Sequence, residues 1–400
     1  MKIASILLAA GQGTRMHSKI PKVLHPVVGR PMIFYAVEAV QRLVNLPPVV
    51  IVGYGSDAVQ QALSGAGFEV QFALQEQQLG TAHAISCAQP LLEKQADQVL
   101  VTCADMPLLQ EETLQRLINL HAQSGGVMTM TSVIGEVPRG FGRVVRDEHG
   151  GVSAIVEEAV ATPEQLTIRE YNVSAYCFEA AWLWENLTRI QLSAKKEYYL
   201  TDLVEIAVKQ GYKVQTLVVP DPAEALGINT RVDLAAAEHA MRQRINQRWM
   251  LAGVTLLDPA TTTIEVGVTI GQDTTIYPNT ALRGGTVIGE DCHIGPDTTL
   301  VDTKVGNATL IQNSVAEYAR VGNHVSIGPF CHLRKGAILM DGVHMGNFGE
   351  VKASTLGENV KMGHFSYIGD AKVGSNVNIG AGTITCNFDG EKKNLTEIGE

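Results

Sequence analysis

Two patterns of apolar spacing divide the chain. Up to about Asn229, short β-branched runs (Ile3 to Leu8, Val49 to Val52, Val99 to Cys103, Val127 to Val133, Val214 to Val219) alternate with stretches of helical periodicity. Such runs read as buried strands, and their alternation with helices reads as an α/β sheet. Between the first two runs, Met32 to Val44 carries apolar residues at helical spacing, so the connection can be a crossover helix between parallel strands. A doubly wound, Rossmann-like sheet is predicted over 1–229. Its ligand site belongs at the carboxyl ends of the strands, where a glycine-rich loop at Gly11 and Asp105 both fall. Arg231 to Met250 is rich in Ala, Arg and Gln without Gly or Pro, which predicts a helix, and 230–252 is read as a linker.

From Gly253 the period becomes six. Ile288-Gly289, Ile294-Gly295, Val321-Gly322, Ile327-Gly328, Met345-Gly346, Leu356-Gly357, Met362-Gly363 and Ile379-Gly380 mark this repeat. A hexapeptide repeat specifies a left-handed parallel β-helix over 253–400, three repeats to a coil, with the aliphatic residue inward. The small residue after it is expected in the tight corner. Cys386 to Thr396 breaks the period and should loop out. The sequence stops at Glu400, one residue past an Ile-Gly pair and without an atypical capping repeat, so it reads as a truncated chain.

Composition narrows the function. With 45% hydrophobic and 18% charged residues the chain is globular rather than disordered, and its net charge of -10 argues against a nucleic-acid or anionic membrane surface as partner. Six scattered cysteines with no Cys-x-x-Cys pair point to a reduced, cytoplasmic protein. The apolar start, Ile3 to Ala10, runs into Gly11-Gln12-Gly13-Thr14-Arg15 without a convincing cleavage site and is read as a strand rather than a signal peptide. No apolar run reaches the roughly 20 residues that span a bilayer.

Leu8-Ala9-Ala10-Gly11-Gln12-Gly13-Thr14-Arg15-Met16 can present backbone N–H groups to phosphates, and Arg15 with Lys22 adds two cations. Together with Pro21-Lys22, Leu79-Gly80-Thr81-Ala82-His83, Ala104-Asp105-Met106-Pro107, Gly140-Phe141-Gly142-Arg143, Glu157-Glu158, Tyr171-Asn172 and Gly227-Ile228-Asn229-Thr230-Arg231, this loop resembles the sugar-1-phosphate nucleotidyltransferases. With the hexapeptide half attached, the chain resembles bifunctional N-acetylglucosamine-1-phosphate uridylyltransferase/glucosamine-1-phosphate N-acetyltransferases along nearly its whole length. The resemblance implies attack of the sugar phosphate on the α-phosphorus of UTP, giving UDP-N-acetylglucosamine for peptidoglycan and lipopolysaccharide synthesis. It implies Mg²⁺ on Asp105 and Asn229, and Lys22 and Arg15 as catalytic cations on the phosphates. Leu8, Ala9, Ala10 and Gly11 would line the nucleotide, Gln75, Gly80 and Thr81 would read uracil, and Gly140, Glu157 and Asn172 would hold the sugar. Thr102-Cys103-Ala104 departs from an aromatic-Gly pair usual before the aspartate.

For the second half the resemblance implies His364 as general base in acetyl transfer from acetyl-CoA. Arg334, Lys352 and Lys393 would clamp the sugar phosphate, Tyr367 and Asn378 would position the ring, and Ala381, Asn387 and Phe388 would begin the acetyl-CoA site. Phe388 stands where relatives carry Tyr. Residues about one coil apart stack in a β-helix, so this set can converge on one wall. The resemblance also implies a homotrimer with the acyl site between neighbours, and weak or absent acetyl transfer in a chain ending at Glu400. The alternative is a single-activity sugar-1-phosphate nucleotidyltransferase whose β-helix serves oligomerisation or regulation.

Overall fold

The computed structural model describes residues 1–136 and 140–400. The β-branched runs of the first half lie in one nine-stranded sheet: β1 (Ile3–Leu8), β2 (Val49–Val52), β3 (Gln71–Leu74), β4 (Gln98–Cys103), β5 (Met128–Ile134), β6 (Arg143–Arg146), β7 (Val152–Val156), β8 (Glu170–Glu179) and β9 (Gln215–Val218). The hydrogen-bonded order is β9-β5-β8-β4-β1-β2-β3, with β6 pairing both β8 and β7. β1 runs parallel to β2 and β4, β2 to β3, and β5 to β9. β8 is antiparallel to both β4 and β5, so the doubly wound sheet is mixed. Its apolar residues (Ala4, Ile6, Val49, Ile51, Val99, Val101) are fully buried, as strands covered by helices on both faces require.

Helix Glu111–Ser124 packs on this sheet through Leu114, Leu117, Ile118 and His121. The His121 ring is buried, with Nδ1 3.0 Å from Thr129 Oγ1, and burial pulls its pKa down to about 4. A folded-state pKa below the usual 6.5 of histidine means the unfolded chain binds the proton first as pH falls. Stability is therefore complete above about pH 6.5 and drains away between there and about pH 4, by on the order of 2–3 kcal/mol. Urea titrations of His121→Phe and the parent at pH 7.5 and 4.5 measure it: the parent should lose more stability between the two pH values than the variant.

In the second half, short parallel strands form three sheets of eight, seven and eight strands. Each inward aliphatic stacks on its counterpart one coil on, as in Ile276-Ile294-Ile311-Ile327-Met345-Met362-Ile379. The six-residue period is the linear trace of this stacking. Corner chemistry differs from expectation. The left-handed corner residue lies three positions before the aliphatic, and Asp273, Asn279, Asp291, Asp297, Asn359 and Asn376 occupy it with φ between 48° and 62°. These side chains tolerate that conformation best after glycine. The glycine following the aliphatic answers to close approach instead: a Cβ at Gly306 or Gly357 would sit 2.7 Å from the carbonyl carbon of Gly322 or Gly374 in the next coil.

A second inward column, two positions before the aliphatic, is filled by small residues such as Thr274, Thr303 and Thr309. Their hydroxyls donate to carbonyls of the coil above, Thr309 Oγ1 to Gly322 O at 2.9 Å and Thr303 Oγ1 to Ala316 O at 3.1 Å. Most coils advance 16 to 18 residues, but Ala371 pairs with Thr396, so one coil carries an excursion. It spans 386–395, and Thr396, expected in the loop, is already back in the sheet as the start of strand Thr396–Ile398.

The chain divides into two compact units, Met1–Glu238 and His239–Glu400, a division that falls inside helix Arg231–Leu251. Glu238 accepts from Val28 N at 2.6 Å within the first unit. Asn246 Nδ2 donates to Pro259 O and Arg242 to Thr262 O within the second. Among the described residues no helix is long and apolar enough to cross a membrane.

Candidate functional site

The glycine-rich loop leaves the carboxyl end of β1, held by Ala9 N donating to Ile51 O and Ala104 N to Leu8 O, each at 3.0 Å. These bonds bury Ala9 and Ala10 and leave Gly11 exposed. A Cβ on Gly11 would meet no protein atom within 4 Å, so the space it would fill is open to a ligand. Gly13 adopts φ +64°, and a Cβ there would lie 2.7 Å from Lys22 Cβ; glycine lets the lysine pass close to the loop. Arg15 stands exposed on the turn Thr14–Met16.

Lys22 Nζ lies 2.5 Å from Asp105 Oδ2 and 3.2 Å from Asn229 Oδ1. The two oxygens come together because Ile228 N donates to Asp105 O at 2.9 Å, joining the segment after β9 to the end of β4. Buried Glu224 fastens that segment by accepting from Gln110 N at 2.9 Å and Thr113 Oγ1 at 3.1 Å. Asp233 accepts from the backbone of Asn229 and Thr230. An ammonium between a carboxylate and an amide oxygen marks a place for positive charge. The donor set, hard and all oxygen, fits a divalent cation that takes its other ligands from phosphates and water.

Gln75, just past β3, is buried; its Nε2 donates to Gly80 O at 3.0 Å and lies 3.1 Å from His83 Nδ1. Gln78 Nε2 donates to Ala10 O at 2.8 Å, tying this segment to the glycine-rich loop. The Thr81 hydroxyl accepts from Leu200 N at 3.0 Å. A cleft lined by Tyr54, Leu74, Gln75 and Gln78 opens here.

Around the expected sugar residues, Asn172 N donates to Gly142 O at 2.9 Å, and Glu157 accepts from Thr201 Oγ1 at 3.2 Å. Burial raises the Glu157 carboxyl, with nearby Asp202 adding to the effect and the Thr201 hydrogen bond opposing it. Asn172 Nδ2 donates to Tyr176 OH at 2.6 Å, and its Oδ1 accepts from Ser174 N. Gly140 borders residues 137–139, which lie outside the described structure. Arg143, almost wholly buried, donates to Phe141 O and Glu158, each at 2.7 Å. Cys103 lies beside Asp105, and burial followed by that carboxylate pushes its thiol pKa upward, keeping it neutral. Thr201 and Tyr176 were not among the residues the motifs singled out; a lone hydroxyl and a strand aromatic carry no local signature.

On the β-helix, the ladder sets Leu333 opposite Val351, which brings Arg334 beside Lys352, and sets Glu350 opposite Tyr367. Arg334 Nη1 donates to Glu350 Oε1 at 2.9 Å. Lys393, returning from the excursion, crowds Lys352 and lowers the pKa of its amine. Asn387 donates to Asp370, and an antiparallel bridge joins Phe388 to Lys393. Three cations thus share one wall, a concentration that suits a phosphate. Glu350, absent from the expected set, orients the first of them. His364, Asn378, Ala381 and Phe388 are exposed on the following coils, and His364 makes no hydrogen bond or ion pair with the cationic group among the described residues.

Residues 5–168 match the MobA-like NTP transferase domain, and 267–301 the bacterial transferase hexapeptide (six repeats). The chain is 45% identical over 398 residues to the bifunctional protein GlmU of Heliobacterium modesticaldum, covering 99% of this chain and 86% of that protein. It is 48% identical over 401 residues to the protein of that name from Pelotomaculum thermopropionicum (100% and 87% covered) and 46% over 399 residues to that of Geobacillus sp. WCH70 (100% and 86%). With an NTP transferase domain on a mixed α/β sheet, hexapeptide coils following it in the sequence and this likeness along both, the chain belongs to the family of bifunctional GlmU proteins.

Proposed function

We propose that the first unit transfers uridylyl from UTP to N-acetylglucosamine 1-phosphate with Mg²⁺, and that the second carries the residues for acetylating glucosamine 1-phosphate from acetyl-CoA, an activity expected to be weak. The observation that carries the first activity is Lys22 Nζ between Asp105 and Asn229 at the mouth of the glycine-rich loop. Mg²⁺ held by Asp105 and Asn229 would draw charge from the phosphates and lower the repulsion between two anions. The Lys22 ammonium, with Arg15, would meet phosphate oxygens as the sugar phosphate oxygen bonds to the α-phosphorus and the bond to pyrophosphate breaks. Leu8 to Gly11 supply the backbone floor, Gln75, Gly80 and Thr81 the base site, and Gly140, Glu157 and Asn172 the sugar site. UDP-N-acetylglucosamine formation, followed by chromatography with Mg²⁺ and with EDTA, tests this reading; product without metal contradicts it.

In the second unit Arg334, Lys352 and Lys393 hold the sugar phosphate, with Tyr367 and Asn378 against the ring. Ala381, Asn387 and Phe388 lie toward acetyl-CoA. His364 takes the proton from the amine as its nitrogen attacks the thioester carbonyl and the CoA thiolate departs. His364 is exposed and unbonded to the cations, which supports a site completed by a neighbour in a homotrimer. Six cysteines without a disulfide support a reducing, cytoplasmic setting. His364→Ala should lower acetyl transfer by about 10²-fold or more while leaving pyrophosphate release unchanged. A thiol-release assay with glucosamine 1-phosphate and acetyl-CoA measures the first, and equal rates in variant and parent would remove His364 from the mechanism.

A further inference from the structure

The two ends of the buried Gln75 amide are not equivalent. Gly80 O, 3.0 Å from Nε2, can only accept, so the NH₂ end must face it. The other N–H of that group meets His83 Nδ1 at 3.1 Å, which requires the imidazole to carry its proton on Nε2 and accept at Nδ1. Both donors are thereby used inside the protein. Only Oε1, a pure acceptor, is left for whatever enters the cleft beside Tyr54 and Leu74. An acceptor facing a pyrimidine edge suits the N3–H of uracil and opposes the N3 lone pair of cytosine.

We propose that His83 is a positioning residue for base choice: by accepting from Gln75 it holds the amide in the orientation that selects uracil over cytosine. This rests on the reading above that Gln75 meets the base. His83 is the third residue of helix Thr81–Ser86, which opens at Gly80, so one turn of chain delivers both acceptors. Turning the amide over would set Oε1 against a carbonyl oxygen and leave the NH₂ end toward the cleft, a face that suits cytosine. His83 makes no bond to Lys22, Asp105 or Asn229, so its removal should move base choice rather than the chemical step.

The test compares kcat/KM for UTP and CTP, with N-acetylglucosamine 1-phosphate, in the parent, His83→Leu and His83→Asn. Leucine removes the acceptor; asparagine places Oδ1 near where Nδ1 stands. The UTP-to-CTP ratio should fall about five-fold in H83L, the size of one lost hydrogen bond, chiefly through KM for UTP, and recover in H83N. An unchanged ratio in H83L, with both nucleotides slowed alike, overturns the role of His83. A parent that does not distinguish UTP from CTP overturns the reading of Gln75 instead. Should H83L not fold, His83→Phe, which keeps ring volume without a polar atom, gives the same comparison.

Discussion

Replacing Asp105 with alanine should lower kcat for uridylyl transfer about 10²- to 10³-fold, with acetyl transfer untouched. Among the described residues the carboxylate is the one full negative charge bonded to Lys22 Nζ, at 2.5 Å, and the other oxygen there is the neutral amide of Asn229. A lone amide holds a divalent cation poorly, and losing a preorganised charge interaction at a reacting phosphate costs about this much. Asp105→Asn separates the parts of the effect: it keeps an oxygen but not the charge, and should recover only a fraction of the rate, at raised Mg²⁺. Pyrophosphate release under saturating substrates reports both variants. An Asp105→Ala chain within a few-fold of the parent would show that the charge has no part in the chemistry.

The second large effect is on stability. Leu356 is fully buried, stacked between Leu339 and Val373 of the neighbouring coils. Leu356→Ala should destabilise the second unit by about 2–5 kcal/mol, because the flat backbone ladders on either side cannot collapse into the space. In a solenoid each coil is supported by its two neighbours, so a hole in an interior coil weakens both junctions at once. Differential scanning calorimetry should show one transition lowered, with uridylyl transfer at 25 °C unchanged. A shift equal to that of an exposed substitution such as Lys372→Ala would mean the coil repacks freely.

The elements dictated by local pattern were legible in the sequence. β1, β2, β4, β5 and β9 fall on short runs rich in apolar and β-branched residues, and β1, β2 and β4, largely buried along their length, read as strands from that pattern alone. β6, β7 and the antiparallel β8 were not foreseen: Arg143, Arg146, Ser153 and Asn172 interrupt their apolar character, and their pairing is decided by contacts distant in sequence. In the β-helix the aliphatic column announced itself by its period. The second inward column did not, because Thr, Ser, Cys and Ala share size rather than hydropathy, and the corner position is defined by φ rather than by polarity.

The site shows the same division. Lys22, Asp105 and Asn229 lie far apart in sequence yet meet within hydrogen-bonding distance, and only their motifs pointed to them. Glu224, Glu350 and Thr201, which hold such residues in place, have no signature of their own, and His83 lies within a motif that does not announce its contact with Gln75; each acts through a partner that the fold alone supplies. Positioning residues are therefore where a structure adds most to a family resemblance.

The most direct measurement is pyrophosphate release from UTP and N-acetylglucosamine 1-phosphate, with and without Mg²⁺, beside ATP, GTP, dTTP and glucose 1-phosphate. Metal-dependent turnover confined to UTP and the acetylated sugar is the expected result. Turnover that persists without a divalent metal, or that prefers another nucleotide or glucose 1-phosphate, would contradict a uridylyltransferase built on Lys22, Asp105 and Asn229.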